Sequence, residues 1–171
     1  MCMAVAESSP FKGIFEAMQA AQGPKVRKTL YVLSQAFDDA SCELDTPQVA
    51  VDFVVAVFAS CTLCDKPGMS HLVEQVGWEF HRYDDAQKQQ IYRVLCDTYS
   101  QYQDGVFCWR VCDLVARQYT SRQAMDFFKR QSKAATGEGR KGIDAGLQVI
   151  ARSEQHNRSM LAQIQQLKRR R

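Results

Sequence analysis

The stretch QVAVDFVVAVFA, Gln48 to Ala59, limits the fold more than any other part of the chain. At about 100° per residue, Val49, Val51, Phe53, Val54, Val55, Val57 and Phe58 cover nearly its whole circumference. Only a sliver near Asp52 and Ala59 is left for water. A helix of that kind has to be enclosed by other helices. Its valines favour a strand on propensity alone, but the chain holds no second strand-like run to pair with it. The DTP that precedes it starts a helix, with Asp45 or Thr46 as cap and Pro47 in the first turn. An all-α fold is expected.

The remaining segments agree. Apolar residues recur at steps of three and four, and turn residues fall between the runs. Phe11, Ile14, Phe15 and Met18 give a short first helix over about 10–22, with Ser9 as its cap. GP at Gly23-Pro24 opens a second, carrying Val26, Leu30, Leu33, Phe37, Ala40 and Leu44. After the enclosed third helix, DKPG marks a turn, and Met69, Leu72, Val73, Val76 and Phe80 stripe a fourth to about Arg82. Asp84-Asp85 caps a fifth with Ile91, Leu95, Tyr99 and Tyr102. A sixth presents Phe107, Val111, Leu114 and Val115, and a seventh Ala124, Met125, Phe127 and Phe128 behind a Thr120-Ser121 cap. TGEGRKG reads as a flexible linker, because glycine is a poor helix former. A long helix from about Ile143 closes the chain, with Leu147, Ile150, Leu161, Ile164 and Leu167 as its stripe.

Two of these hairpins echo one another. Leu44 to Phe80 lies over Tyr83 to Tyr119 without a gap, at a spacing of 39 residues. Asp45 meets Asp84, Gln48 meets Gln87, Asp65 meets Asp104, Val76 meets Val115 and Phe80 meets Tyr119. The period is close to that of HEAT-like helical pairs. The expected architecture is a compact bundle of about eight helices built from antiparallel hairpins. Residues 1–135 form the hairpin domain. Residues 136–171 form a linker and a long helix that packs on the same domain or mediates self-association, where Glu154 and Asn157 interrupt the apolar stripe as register-setting polar residues do.

Composition narrows the function classes. A net charge of +3 on 171 residues is too small for a broad nucleic-acid footprint. The local excess lies in GRK and in the terminal KRRR, whose bland role is to complement the negative end of a helix dipole. FVVAVFA, the most apolar run, is far short of the ~20 residues that cross a bilayer. Seven cysteines without a secretory leader give a reduced, cytoplasmic protein as the expectation.

Chemistry is thinly represented. CTLC, with Cys61 and Cys64, has the gap of a zinc or redox knuckle, and His71, Cys108 and Cys112 could complete a site across the two hairpin turns. A zinc signature normally has two such knuckles, whereas CWRVC has a gap of three, and free cysteine commonly packs as a small apolar group. No metal and no cofactor is therefore expected. The glycines of GEGRKG lack the spacing of a phosphate-binding loop, the di-iron Glu-x-x-His pairs are missing, and three histidines leave little for acid–base work. No catalytic residue is assigned.

Both tryptophans stand out by position. Trp78 falls opposite Val76 and its stripe, with His81 and Arg82 on the same outer side; Trp109 falls opposite Val111, beside Arg110 and Arg117. Tryptophan and arginine are enriched at binding hot spots. The expectation is a non-enzymatic, adaptor-like protein that binds another protein through Trp78, His81, Arg82, Trp109, Arg110 and Arg117. The competing readings are a nucleic-acid binder using the basic tail, with tryptophans stacking bases, and a helical enzyme or ligand binder with an internal pocket.

Overall fold

Turn chemistry divides the chain into helices that alternate between two layers. The computed structural model describes residues 5, 9–45 and 47–169. Among these are nine α-helices and no strand. They are α1 (Lys12–Ala20), α2 (Val26–Cys42), α3 (Gln48–Phe58), the single turn α4 (Cys61–Cys64), α5 (Ser70–Glu79), α6 (Asp85–Thr98), α7 (Gly105–Gln118), α8 (Ser121–Gln131) and α9 (Gly137–Arg169). Short 3₁₀ turns, Phe80–Arg82 and Tyr99–Gln101, follow α5 and α6.

One layer holds α1, α3, α6 and α8. Phe11 and Phe15 pack on Phe53 of α3, α3 packs on α6, and α6 on α8. The other layer runs α2, α5, α7, α9, each packed on the next. The enclosure of α3 follows from its place, with α1 on one side and α6 on the other. Ala50, Val51, Phe53, Val54, Val57 and Phe58 are fully buried, and Asp52 is exposed as expected. Phe11, Phe37 and Phe53 form an aromatic knot with centroids 4.8–5.3 Å apart. Each buried ring contributes roughly 2–3 kcal/mol of hydrophobic stabilisation.

Three pairs of residues 39 apart touch across the two central hairpins. Gln87 donates through Nε2 to Gln48 Oε1 (3.3 Å), the Asp104 amide donates to Asp65 Oδ1 (3.0 Å), and the Tyr119 ring meets Phe80 at 5.1 Å. Equivalent positions can touch only if the hairpins lie side by side in the same orientation. The helix starts are also built alike. Asp84 and Thr120 each form a capping box, with Gln87 and Gln123 at the third helical position. Asp104 accepts the Phe107 amide at 2.7 Å to start α7, and Ser9 accepts the Phe11 amide ahead of α1.

Cations and phenols from one hairpin cap the carbonyl ends of its neighbours. Lys66 Nζ donates to the carbonyls of Met18, Gln19 and Ala21 at the end of α1 (2.5–3.0 Å), and Tyr102 donates to the Phe58 carbonyl of α3 (2.6 Å). Both place donors where a helix end carries partial negative charge.

Three expectations need correction. The GEGRKG segment is helical, because α9 begins at Gly137. Gly142 of this segment, and Gly146 one turn further on, face the body of the protein, where a side chain would collide. A Cβ on Gly142 would lie 2.6 Å from Tyr99 Oη and 3.0 Å from the Cys108 carbonyl oxygen, and one on Gly146 would lie 2.5 Å from the Phe128 ring. Tertiary contact therefore overrides glycine's poor propensity. The α5 helix ends at Glu79 rather than Arg82. Met125, read as part of the α8 stripe, is 46% exposed, while Phe127 and Phe128 carry the contact.

Beyond Ile150, which is buried, Ala151 to His156 are exposed. The side chains of Asn157, Leu161, Ile164, Leu167 and Lys168, Thr46, and the last two arginines of KRRR lie outside the described residues. No helix among the described residues is long and apolar enough to cross a membrane.

Candidate functional site

The outer face of the second layer carries a groove between α5 and α7. Its volume is about 230 Å³, and Val73, Glu74, Gly77 and Trp78 of α5 face Arg110, Asp113, Leu114, Arg117 and Gln118 of α7 across it. Val76 and Val111, on the opposite side of each helix, are fully buried, so the apolar stripes turn inward and leave this polar face outside. Trp78 is 65% exposed and Trp109 41% exposed. Large indoles rarely stay this open, because burying one removes substantial apolar area from water.

Ion pairs line the groove above the buried Val73 and Leu114. Arg110 bridges the two helices through an ion pair with Glu74, and its guanidinium lies 4.5 Å from the Trp109 ring centroid as a cation–π contact. Glu74 also meets His71 Nδ1 at 3.1 Å. Arg117 pairs with Asp113 one turn earlier on α7 at 2.7 Å, and Gln118 donates to the Gly77 carbonyl at 3.2 Å. Trp109 thus stands beside the groove wall, linked to it through Arg110. His81 Nδ1 lies 2.9 Å from the Trp78 carbonyl oxygen at the end of α5, with its ring outside.

Arg82 goes elsewhere. The 3₁₀ turn swings it inward, where it pairs with Glu79 and donates to the carbonyls of Ser41 (3.0 Å) and Leu44 (3.3 Å) at the end of α2. It is a structural capping residue. Trp78, Arg110 and Arg117 therefore share the groove, Trp109 and His81 border it, and Arg82 has left it.

A second feature escaped the sequence reading. At the start of α2, Lys25, Arg27 and Lys28 border a shallow depression with Pro24, Tyr31 and His71. None of the three cations makes an ion pair among the described residues. Tyr31 (46% exposed) and Val32 (55% exposed) continue the surface along α2. The Tyr31 ring packs edge-on against His71 at 4.9 Å. Tyr31, His71, Glu74, Arg110 and Trp109 thereby form one unbroken line of contacts across α2, α5 and α7. The KVRK run just behind GP was the available signal.

The cysteine constellation does not converge. No three of Cys61, Cys64, His71, Cys108 and Cys112 bring ligand atoms within 4.8 Å of one another. Cys64 Sγ donates to the Val57 carbonyl (3.3 Å), Cys112 Sγ to Tyr99 Oη (3.0 Å) and Cys61 Sγ to Gln101 (3.7 Å). Burial pushes the thiols of Cys108 and Cys112 up to about 12 and Cys64 well above its usual range. Protonated thiols of this kind are poor nucleophiles and poor metal ligands.

Among the described residues, one mixed cluster does gather: Asp38, Cys42 and Glu79, at the α2–α5 contact. The cation it needs is already present in Arg82, which pairs with Glu79. Burial, then the charges of Glu79 and Asp39, hold the Asp38 carboxyl above its usual range. No protein-family model, curated protein or solved structure matches this chain.

Proposed function

We propose that the chain is a docking module without chemistry of its own, binding another protein through the outer face of α5 and α7. One observation carries the reading. Two indoles stay exposed beside an arginine that is fixed from both sides, by Glu74 across the helix gap and by the Trp109 ring. Aromatic and arginine side chains held rigid in the free protein lose little entropy on binding. The groove is lined by Val73, Trp78 and Leu114 together with charged and polar side chains, a mixture that suits a protein interface.

Partner capture from the native cell, followed by titration of the captured protein, tests it. The double variant Trp78→Ala with Arg117→Ala should weaken binding about 30-fold or more, since hot-spot truncations cost about 2 kcal/mol. Its melting temperature should stay within about 2 °C of the parent, because both side chains are mostly outside the core. Unchanged affinity would sink the reading, and so would collapse of the fold.

A further inference from the structure

We infer that the partner presents an acidic segment carrying a large apolar side chain, laid across α2, α5 and α7 in an extended conformation. This rests on the docking role proposed above and names the partner's chemistry. Three observations converge on it.

The first is charge. Lys25, Arg27 and Lys28 crowd the start of α2 with no carboxylate to answer them among the described residues. That position is the positive end of the helix dipole, where cations are unfavourable and acidic residues are preferred. Stability alone would not put them there; an incoming anionic group relieves both their mutual repulsion and the dipole. The second is continuity. His71 borders the cationic depression and touches Glu74, which lines the α5–α7 groove, so the two features form one track. The third is character. Within the groove each arginine already has its own carboxylate, Glu74 for Arg110 and Asp113 for Arg117. A uniformly charged phosphate backbone following the track would meet those acids along its length, whereas a peptide can set an apolar side chain against Trp78 and Leu114 and keep its acids for the cations at the start of α2.

The spacing follows from the layer. Two helix-to-helix steps, from α2 to α7, span about 16–20 Å. Extended chain covers that in about six residues. The acidic cluster and the apolar anchor of the partner should be separated accordingly.

Selection of random 16-residue displayed peptides on the immobilised full chain tests this. The expected result is enrichment of sequences with clustered Asp and Glu about six residues from an aromatic or leucine. A synthetic fluorescent version of the consensus should lose at least tenfold affinity both in K25E/R27E/K28E and in Trp78→Ala. The triple reversal places acids at a helix start, where they stabilise, so lost binding would not reflect unfolding; circular dichroism checks it. Peptides without acidic bias, bound equally by the triple variant but lost with Trp78→Ala, would overturn the charge inference and leave the docking role standing. Peptides indifferent to Trp78→Ala would overturn both. Failure of any peptide to enrich overturns the inference as well. Binding of a single-stranded oligonucleotide in place of peptides, falling steeply with salt, would move the site to nucleic acid.

Discussion

Helix α7 has two long seams, and they are built from opposite materials. Towards α9, Cys108 and Cys112 meet Gly142 and Gly146, so backbone approaches backbone and no gap is left. Tyr99 closes that seam by donating to the Gly139 carbonyl at 2.7 Å and accepting from Cys112. Towards α5, Glu74, Arg110, Asp113 and Arg117 meet instead, and a groove stays open between them. Small residues let helices close, and long charged ones hold them apart with their heads in water. The sealed seam attaches the last hairpin. The open seam costs little to keep and offers a surface.

The largest effect expected of a single substitution breaks the sealed side. Gly142→Ala puts a methyl 3.0 Å from the Cys108 carbonyl, which is backbone and cannot step aside. Overpacking of this kind costs about 1–3 kcal/mol, against a gain of about 1 kcal/mol from better helix propensity. Urea unfolding should show a net loss of about 1 kcal/mol, rising towards about 2 kcal/mol at the upper end of the overpacking cost. A rise in stability would mean that α9 does not sit tightly on α7.

Alkaline pH should loosen the same seam next. Cys108 and Cys112 keep their protons in the folded chain up to about 12 because burial disfavours the thiolate. The unfolded chain gives its thiols up from about pH 8.5–9. Their contribution is therefore intact below pH 9 and is lost as pH climbs towards 12, at about 1 kcal/mol per thiol per pH unit. Chemical denaturation at pH 8 and pH 10 reads this, and Cys112→Ala should flatten the slope. Tyr99, raised by burial in the same way, adds to the loss above pH 10.

The two seams also differ in how far the residues announced them. The open one was legible, because Val76 and Val111 fixed the inward direction and the 3.6-residue turn then put Trp78 and Trp109 outside. That arithmetic failed at Arg82, where the 3₁₀ turn tightens the chain and rotates the side chain back to α2. The sealed seam was illegible. Glycines spaced through GEGRKGIDAG read as helix breakers until a neighbouring helix gives them a reason to be small. The cations of α2 were missed for a related reason: nothing in KVRK says that its neighbour across the layer would be His71 rather than a carboxylate. Enclosure of α3 was plain from composition alone, since no amphipathic alternative existed.

A smaller effect, of opposite sign, should come from the glycine on the open side. A Cβ on Gly77 would lie 3.5 Å from the Leu114 side chain, an ordinary contact. Gly77→Ala should therefore gain about 0.5–1 kcal/mol in urea unfolding, from helix propensity with no clash. The same methyl projects into the groove floor, so consensus-peptide binding should weaken while stability rises. Parallel destabilisation of Gly77→Ala and Gly142→Ala would erase the distinction between the seams.

The smallest effect sharpens the contrast furthest. Arg117 is 62% exposed and its one ion pair, with Asp113, is a turn away on the same helix. Pairs of that kind contribute about 0.3–0.5 kcal/mol and are screened by salt. Arg117→Ala should thus move the unfolding free energy by less than about 0.5 kcal/mol, and by nothing measurable in 1 M NaCl. If the open seam exists for binding, the same substitution will reduce peptide affinity by far more than it reduces stability. A stability loss near that of Gly142→Ala would instead mean that the charged seam holds α5 to α7, and that the groove is only the gap left by side chains doing structural work.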